Sequence, residues 1–414
     1  MSEAISPGDH QAIRGGGPIS QVEVPFFPRK PDGSMEIGSQ SRFEVRPLSS
    51  AEVDRLRRIS PTSGNGHSAR TWNRDAGLLA WPHGWQRPGR TEEWAYEQYA
   101  SSLERPRFAQ LVCYPWATLI DLLDRGQIAL AQSYLDALAQ TPPPTTLIRA
   151  TVCQHIHAER ILPWLKALGI TDLFWTHSRV DAPAIDGIRV HPFPLYPVRC
   201  HDRSEPLGAP EFAAINSDAP SLRKYLYSFV GAYCPDGYLT QVRQWIFDLP
   251  SRPDALVLRR SEWHYESVVY EQQIRGRQLD PADCARREQM AEDFDAAMRD
   301  SIFALCPSGS GPNSIRLWES LGFGSIPVLL ADTLRLPGSR QEWDEAIVRV
   351  PETREAVSAL PDRLAELARD RVRLEGMQQA GRHLWKRYGE LGPLTVLSVL
   401  ANNDWVRGHV IRRQ

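Results

Sequence analysis

The chain has 414 residues, 42% of them hydrophobic and 24% charged, a length and composition that predict a folded protein with two domains. Its formal net charge of −2 excludes a global basic field, so we expect no nucleic-acid partner. The six cysteines are far apart and form no C-x-x-C pair, which argues against a zinc site or a disulfide framework.

The sequence also lacks targeting and membrane signals. Its first residues contain no apolar core of the kind that a signal peptide needs, and no long apolar run occurs anywhere in the chain. We therefore expect a cytoplasmic, bacterial protein with no transmembrane segment and at most peripheral contact with a membrane.

Residues 1–75 are rich in Pro, Gly, Ser and Arg, which predicts a poorly ordered or wrapping N-terminal arm. From about residue 105, short apolar strands alternate with amphipathic helices, a pattern typical of a parallel sheet covered on both faces. The predicted strands are 107–114, 145–153, 171–177 and 186–197, and the predicted helices are 116–126, 128–140 and 158–169.

A polar, proline-punctuated stretch at 203–221 predicts a boundary between an N-terminal, acceptor-side domain (76–210) and a C-terminal domain (222–390), with a tail or helix at 391–414. The alternation then resumes. The predicted strands are 224–233, 254–260, 301–307, 325–330 and 345–350, and the predicted helices are 239–247, 284–300, 313–324 and several from 353 to 388. We thus predict an α/β, GT-B-like architecture, in which two doubly wound Rossmann-like domains face a central cleft.

The glycine-rich stretch 306–314 follows a predicted strand and precedes a helix. Gly309 and Gly311 would let backbone N–H groups approach a ligand, and the positive end of a helix starting near Asn313 or Ser314 favours a phosphate. Side chains of Ser308, Ser310 and Asn313 could add donors. A plain strand–turn–helix connection, with Ser314 or Asn313 as the N-cap, is the structural alternative.

The same stretch nearly fits the dinucleotide fingerprint, with Asp332 about where an acid would bind the ribose. An NAD(P)-dependent oxidoreductase that uses the 309–314 loop is therefore an alternative function. Its weakness is position, because a Rossmann fingerprint opens its domain, whereas three predicted αβ steps precede this loop.

Residues 301–338 resemble the C-terminal signature of exostosin-type glycosyltransferases, in outline F-x-L-x-P-x-G, S-x-R-x-x-E-A and G-x-x-P-V-I-x-x-D-x-x-x-L-P-F. The matching residues are Phe303, Leu305, Pro307, Gly309, Ser314, Arg316, Glu319, Gly324, Pro327, Val328, Asp332, Leu336 and Pro337. The sequence departs from the pattern at Ser320, Ser325 and Gly338. A weaker resemblance covers residues 224–233.

This resemblance implies an inverting, metal-independent glycosyltransferase that uses a nucleotide-diphosphate sugar as its donor substrate and needs no cofactor. The acceptor would be a glycan or glycolipid, and we expect a role in the synthesis of a cell-surface polysaccharide. A nucleotide-sugar-binding protein that has lost its catalytic base is the non-enzyme alternative.

Three further positions are candidates for the donor site. The resemblance implies that Glu319 accepts hydrogen bonds from ribose hydroxyls, with a surface carboxylate as the alternative. Arg316 would offer a planar fork to phosphate oxygens, unless it is a solvated helix residue. Gly231 would form a second close-approach loop or simply end a strand.

Arg259 and Arg260 end the predicted strand 254–260 and would stabilise the charge on the leaving diphosphate. The alternative is that either arginine pairs with Glu262 or faces solvent.

An inverting transfer needs a base that accepts a proton from the acceptor hydroxyl. We predict His155 first, His177 second and Asp181 third. His155 follows the predicted strand 145–153 and His177 ends the predicted strand 171–177, and both strand ends open into the predicted cleft. Each of them could instead be structural.

Asp293 and Asp295 spell a D-x-D sequence, which in another glycosyltransferase fold binds a metal. They lie in the predicted helix 284–300, where residues two apart point to different sides. We therefore predict a solvated helix face and no metal site.

Overall fold

The computed structural model describes residues 71–102, 108–202, 223–260 and 280–402. Most of the predicted arm, the predicted boundary 203–221, Glu262 and the end of the predicted tail from residue 403 lie outside the described residues.

The first half of the chain forms a seven-stranded sheet in the order β1-β2-β3-β4-β5-β7-β6. The central strands are parallel, and the short strands β1 and β6 pair antiparallel at the two edges. Its strands are β1 (Asn73–Asp75), β2 (Leu78–Ala80), β3 (Ala109–Cys113), β4 (Ile148–Cys153), β5 (Asp172–Trp175), β6 (Ala184–Ile185) and β7 (Ile188–Pro192).

Helices cover this sheet, and large aromatic side chains fill the layers between sheet and helix. Trp81, Tyr114 and Trp116 are almost fully buried in one such layer. The helices are α1 (Thr91–Ser101), α2 (Trp116–Asp124), α3 (Ile128–Ala139), α4 (Leu162–Ala167) and α5 (Val198–His201), with a 3₁₀ turn at Ala158–Ile161.

The second half forms a five-stranded, wholly parallel sheet in the order β12-β11-β10-β8-β9. Its strands are β8 (Tyr225–Ala232), β9 (Ala255–Arg260), β10 (Ser301–Pro307), β11 (Ile326–Leu330) and β12 (Val348–Arg349). The helices are α6 (Val242–Phe247), α7 (Pro281–Arg299), α8 (Ile315–Phe323), α9 (Arg340–Asp344), α10 (Arg354–Ser358), α11 (Leu360–Leu367), α12 (Arg371–Leu384) and α13 (Gly392–Leu397). A π-helical segment occupies Trp385–Glu390, and 3₁₀ turns occupy Pro235–Gly237 and Ser398–Ala401.

These two parallel sheets with intervening helices confirm the predicted α/β, GT-B-like class. The carboxyl ends of the two sheets face each other, because the loop after β10 contacts the end of β5: the Asn313 side-chain amide donates to the Thr176 carbonyl at 2.7 Å. A parallel sheet exposes its loops at this edge, so a cleft between two such edges is where a ligand is expected.

The end of the described chain returns to the first sheet. The Gln98 side chain on α1 donates to the Glu390 carbonyl at 2.9 Å, and Gly392 lies so close to Trp94 that an added Cβ would be 2.6 Å from the indole. Helix α13 thus packs on α1. The predicted domain limits stay a prediction.

The sequence did not predict β1, β2 or α1. The two strands have only three residues each, and α1 begins with a mixed, largely polar sequence. None of the three elements therefore gives a clear periodic signal. None of the helices in the described residues is long and apolar enough to span a membrane.

Candidate functional site

The glycine-rich loop closes tightly after β10. The Ser308 N–H donates to the Leu330 carbonyl at 2.8 Å, and the Gly309 N–H donates to the Gly311 carbonyl at 2.9 Å. Ser310 is exposed at the tip of the loop. Ser314 is the residue before α8, with φ −114° and ψ 131°, but its side chain makes no capping hydrogen bond. The predicted helix start is therefore confirmed, and the amides at that end keep their capacity to bind another group.

Glu352 fixes the base of this loop. Its carboxylate accepts hydrogen bonds from the Ser308 hydroxyl, from the Thr240 hydroxyl at 3.0 Å and from the Asp332 N–H at 3.0 Å. In return, the Glu352 N–H donates to the Asp332 carboxylate at 3.0 Å. Ser308 therefore supports the loop, and Asp332, the acid that the dinucleotide alternative needs for a ribose, is held by the backbone of Glu352.

Arg316 is buried at the first turn of α8, so the solvated-helix alternative is wrong. Its guanidinium group donates to the Val230 carbonyl and lies 4.6 Å from the centre of the Phe229 ring. A Cβ at Gly231 would come within 3.1 Å of the same guanidinium group. Glycine at 231 thus allows β8 to end close against the arginine. The predicted approach of Gly231 to a ligand stays a prediction.

Arg243 on α6 is a second buried arginine at the same place. Its Nε donates to the Ser308 carbonyl at 2.8 Å and its Nη1 to the Ala232 carbonyl at 3.0 Å. A Cβ at Gly309 would lie 3.2 Å from its Nη2. Sequence reasoning missed Arg243 because one arginine in a short amphipathic helix carries no motif.

The two arginines bring two positive charges close together in a buried place. Burial and the charge of Arg316 lower the pKa of Arg243 to about 10. Within the described part of the chain, Arg243 forms no ion pair with a carboxylate. A bound anion would relieve the cost of holding these charges out of water.

Glu319 lies one turn further along α8 and is only 1% exposed, so the surface-carboxylate alternative is wrong. Its carboxylate accepts the Arg199 N–H at 3.1 Å. Burial raises the pKa of Glu319 to about 7, while the Arg199 hydrogen bond and the charges of Arg316 and Arg199 act in the opposite direction.

The other side of the loop docks on the first domain. Asn313 donates from its side chain to the Thr176 carbonyl, accepts from the Trp318 indole at 2.9 Å and places its N–H 3.4 Å from His177 Nδ1. A Cβ at Gly311 would be 2.4 Å from the same His177 nitrogen. The glycine at 311 therefore allows the imidazole to sit against the loop.

His177 and His155 lie at neighbouring strand ends of the first sheet. Burial, together with the charge of His155, lowers the pKa of His177 to about 3, so its ring is neutral near pH 7. His155 is engaged at both ring nitrogens: Nδ1 accepts the His157 N–H at 3.0 Å and Nε2 lies 3.4 Å from the Asp121 carboxylate. Of the two, His177 contacts the glycine loop.

Asp181 lies apart from this pair. It is exposed, and both of its oxygens pair with Arg179 at 2.9 and 3.0 Å. This ion pair lowers the pKa of Asp181 and occupies the carboxylate, which is poor placement for a catalytic base.

The two arginines at the end of β9, Arg259 and Arg260, have contacts that do not include Arg243 or Arg316. Arg259 is exposed, with Nη1 3.4 Å from the Gln244 side chain and its guanidinium 5.3 Å from the Phe247 ring centre. Arg260 pairs with Asp293 at 3.2 Å. The backbone of Arg259 and Arg260 pairs with Gly231 and Ala232 of β8, but their side chains are held by these other partners. The pairing partner of Arg260 is one of the two D-x-D aspartates.

The prediction of a solvated D-x-D face is wrong for Asp295. Its carboxylate is 4% exposed and forms a two-point ion pair with Arg199. The two aspartates point to different partners, as the helical spacing predicts. In the described residues, no group of three or more His, Cys, Asp or Glu side chains is arranged to hold a metal ion.

Glu92, at the start of α1, is a further buried carboxyl group that sequence reasoning missed. It accepts the Ala117 N–H at 3.2 Å and the Gln154 N–H at 3.1 Å, beside the ends of β3 and β4. Burial raises its pKa to about 8.

Comparison with known families and proteins gives a consistent picture. Residues 164–364 match the model of the Exostosin GT47 domain. An exostosin-1 homolog from Caenorhabditis elegans is 28% identical over 167 residues, which are 40% of this chain and 41% of that protein. A probable glucuronosyltransferase from Oryza sativa subsp. japonica is 50% identical over 56 residues, or 13% of this chain and 14% of that protein. The chain therefore aligns with less than half the length of each of these curated relatives.

Solved structures also align over most of the chain. A sucrose-phosphate synthase from Thermosynechococcus elongatus covers 78% of each chain at 12% identity, with a TM-score of 0.35. A glycosyltransferase from Rickettsia africae ESF-5 covers 81% of this chain and 96% of that chain at 10% identity, with a TM-score of 0.37.

Proposed function

We propose that this chain, in which residues 164–364 match the Exostosin GT47 domain, is a glycosyltransferase that transfers a sugar from a nucleotide-diphosphate sugar to the hydroxyl group of a glycan or glycolipid. The match to the exostosin domain does not specify the donor, the stereochemistry of the transfer or the biological setting, so these are proposals. We further propose that the transfer inverts the anomeric centre and serves cell-surface polysaccharide synthesis in the cytoplasm.

The observation that supports this donor class best is the pair of buried arginines at the glycine loops. Arg243 and Arg316 place two positive charges beside Gly231 and Gly309, where the backbone can approach a ligand. A diphosphate carries the matching charge, and guanidinium forks suit its oxygens. Such a site stabilises the diphosphate as it leaves with the bonding electrons of the broken C–O bond.

The same two charges support a reaction without a divalent cation. In many phosphate sites a metal ion neutralises the leaving group, a role that two arginines can also perform. The D-x-D aspartates are committed to Arg260 and Arg199. We therefore keep metal independence as part of the proposal.

The role proposed for Glu319 is to accept hydrogen bonds from the ribose. It lies one turn along α8 from Arg316, and the two side chains interact electrostatically, so a ribose at Glu319 would adjoin a diphosphate at Arg316. The Arg199 N–H already uses one of its oxygens. The other oxygen is the one we assign to the sugar hydroxyls.

For the base we propose His177. The acceptor oxygen attacks the anomeric carbon, its proton passes to the base, and the bond from that carbon to the diphosphate oxygen breaks. The contact between His177 Nδ1 and the Asn313 N–H is long, at 3.4 Å. A phosphate that takes over this amide would free Nδ1, and its negative charge would raise the pKa of the imidazole. His155 has no ring nitrogen available without breaking a contact of its own fold.

The dinucleotide alternative has less support. The glycine loop follows β10, after β8 and β9 in chain order, and the Asp332 carboxylate accepts from the Glu352 backbone. A binding protein without turnover remains the second candidate, because the Asn313 N–H points at His177 and the ring of His155 is fully engaged.

The test is a thermal-shift screen of the protein against UDP, GDP, CDP and TDP, their sugars, and NAD(H). It is followed by an assay of nucleoside diphosphate release with a panel of glycan acceptors. A ligand present at 100 times its dissociation constant adds about 2.7 kcal/mol to the free energy of unfolding, which is easily measured. Stabilisation by one nucleotide series, with acceptor-dependent release and an inverted anomer by NMR, is the expected result. Stabilisation by NAD(H) alone would refute the proposal, and binding without release over the panel would favour the binding protein.

A further inference from the structure

Two tyrosines form an exposed edge on the loop that follows β8. The Tyr233 and Tyr238 rings lie with their centres 5.7 Å apart and their planes inclined by 39°. Both side chains are only partly buried, and the next residue, Leu239, is 55% exposed. This loop thus presents an apolar surface to solvent beside the glycine loops.

The tyrosine loop is tied directly to the candidate diphosphate site. The Leu239 N–H donates to the Gly309 carbonyl at 2.9 Å, and a Cβ at Gly309 would lie 3.7 Å from the Tyr238 ring. The Arg243 guanidinium stacks on the Tyr238 ring at 4.5 Å from its centre. This contact fixes the ring relative to the buried arginine pair.

The charged and aromatic groups are neighbours in series. Glu319 lies one turn along α8 from Arg316, and the guanidinium groups of Arg316 and Arg243 lie 4.6 and 5.7 Å from the centre of the same ring, Phe229. Arg243 in turn contacts Tyr238. A nucleotide sugar carries its ribose, its diphosphate and its transferred sugar in the same order. If the ribose lies at Glu319 and the diphosphate at the arginines, the next group along the donor reaches the tyrosine pair.

We propose that Tyr238 and Tyr233 form the wall of a subsite that binds the transferred sugar ring of the donor. The inference rests on the proposed function, because it takes the direction of the donor from the ribose and diphosphate assignments. An aromatic ring offers a rigid apolar face, which suits the C–H face of a pyranose. The subsite therefore selects donors that carry a pyranose with one apolar face over the bare nucleotide.

The experiment compares two probes by calorimetry: the nucleoside diphosphate that stabilises the wild-type protein most, chosen among UDP, GDP, CDP and TDP, and the matching nucleotide sugar. The variants are Tyr238→Ala, Tyr233→Ala and Tyr238→Phe, which keeps the ring. Tyr225→Ala is the matched control, because Tyr225 is a partly buried tyrosine at the opposite end of β8. Melting temperatures show which variants are folded.

We expect Tyr238→Ala to weaken binding of the nucleotide sugar about tenfold, a typical effect for one aromatic contact, and to leave the bare nucleotide within twofold. Tyr233→Ala should act in the same direction, and Tyr238→Phe and Tyr225→Ala should bind both probes like wild type. An equal loss for both probes would overturn the inference, because the ring would then contact the nucleotide. Unchanged binding of both would also overturn it. A wild-type protein that binds neither probe would refute the proposed function itself, and the sugar subsite with it.

Discussion

Arg199 on helix α5 and Asp295 on helix α7 form a two-point ion pair, with N–O distances of 2.9 and 2.8 Å. The backbone N–H of the same arginine holds the carboxylate of Glu319. One residue therefore links the second aspartate of the D-x-D sequence to the acid proposed for the ribose. This arrangement gives Asp295 a structural role.

If Asp295 holds Arg199, Asp295→Asn should lower the free energy of unfolding by about 2 kcal/mol, because a largely buried charge loses its partner. Asp293→Asn is the matched control, since Asp293 is half exposed and its pair with Arg260 is longer, at 3.2 Å. We expect a change below about 1 kcal/mol there. Urea unfolding of both variants measures the difference, and equal effects would contradict the assignment.

The effect of divalent metal ions on turnover is the second test of whether the D-x-D sequence binds a metal. We expect nucleoside diphosphate release to proceed at the same rate in EDTA and in millimolar Mn²⁺ or Mg²⁺. Loss of turnover in EDTA that Mn²⁺ restores would show that the diphosphate is neutralised by a metal ion rather than by Arg243 and Arg316.

The raised pKa of Glu319 leads us to expect that nucleotide binding depends on pH. Burial raises its pKa to about 7 in the free protein, against the charges of Arg316 and Arg199 and with a contribution from Asp295. The carboxylate accepts ribose hydrogen bonds best when ionised, so the dissociation constant should rise up to tenfold per pH unit as the pH falls below 7. Calorimetry from pH 5.5 to 8.5 measures this. Glu319→Gln corrects for titration of the nucleotide itself and should give a flatter profile. Parallel profiles would contradict the role.

The raised pKa of Glu92 leads us to expect that the free energy of unfolding falls as the pH rises. Its pKa is about 8 when folded and near 4.5 when exposed, so the folded protein holds an extra proton between these values. Stability should therefore fall as the pH rises from 4.5 to 8, by at most ~5 kcal/mol for this group. Glu92→Gln cannot titrate. The wild-type free energy of unfolding should consequently decline relative to the variant between pH 5 and pH 8. A constant difference would show that burial does not perturb Glu92.

Substitutions of His177, Asp181 and His155 test which residue is the catalytic base. His177→Asn should lower kcat by about 100-fold or more, with the dissociation constant of the donor within a few-fold of wild type. Asp181→Asn should have no effect, since Asp181 is exposed and paired with Arg179. His155→Asn should act mainly on stability through the loss of its Asp121 contact. If His155→Asn abolishes turnover in a folded protein and His177→Asn does not, His155 is the base.

Local sequence was sufficient for most of the fold. The apolar run 301–307 predicts β10 to the residue, and the pattern of residues 313–324 predicts α8. Almost all residues of both segments are buried. The family motif placed Glu319 and Arg316 on one helix. It could not show that both are buried, because Glu319 contacts the distant Arg199 segment and Arg316 contacts the end of β8.

The residues that sequence missed are those whose significance is set by long-range packing. Arg243 reaches the site through carbonyls of Ser308 and Ala232, 65 and 11 residues away in the chain. Asp295 is buried and pairs with Arg199, 96 residues away in the chain. Neither contact leaves a periodic signal, so a pattern reading treats Arg243 as an ordinary helix residue and Asp295 as a solvated one.

The most direct test of the account is the affinity gained from the second phosphate group. Calorimetry with the nucleoside monophosphate and diphosphate of the preferred base should give a large preference for the diphosphate in the wild-type protein. Arg243→Gln and Arg316→Gln should each reduce that preference at least about tenfold, because each removes a charged hydrogen-bonding partner of the anion. Arg252→Gln is the control, since Arg252 pairs with Asp254 at the other end of β9. A preference for the diphosphate that survives in both folded arginine variants would contradict the claim that these two residues bind it.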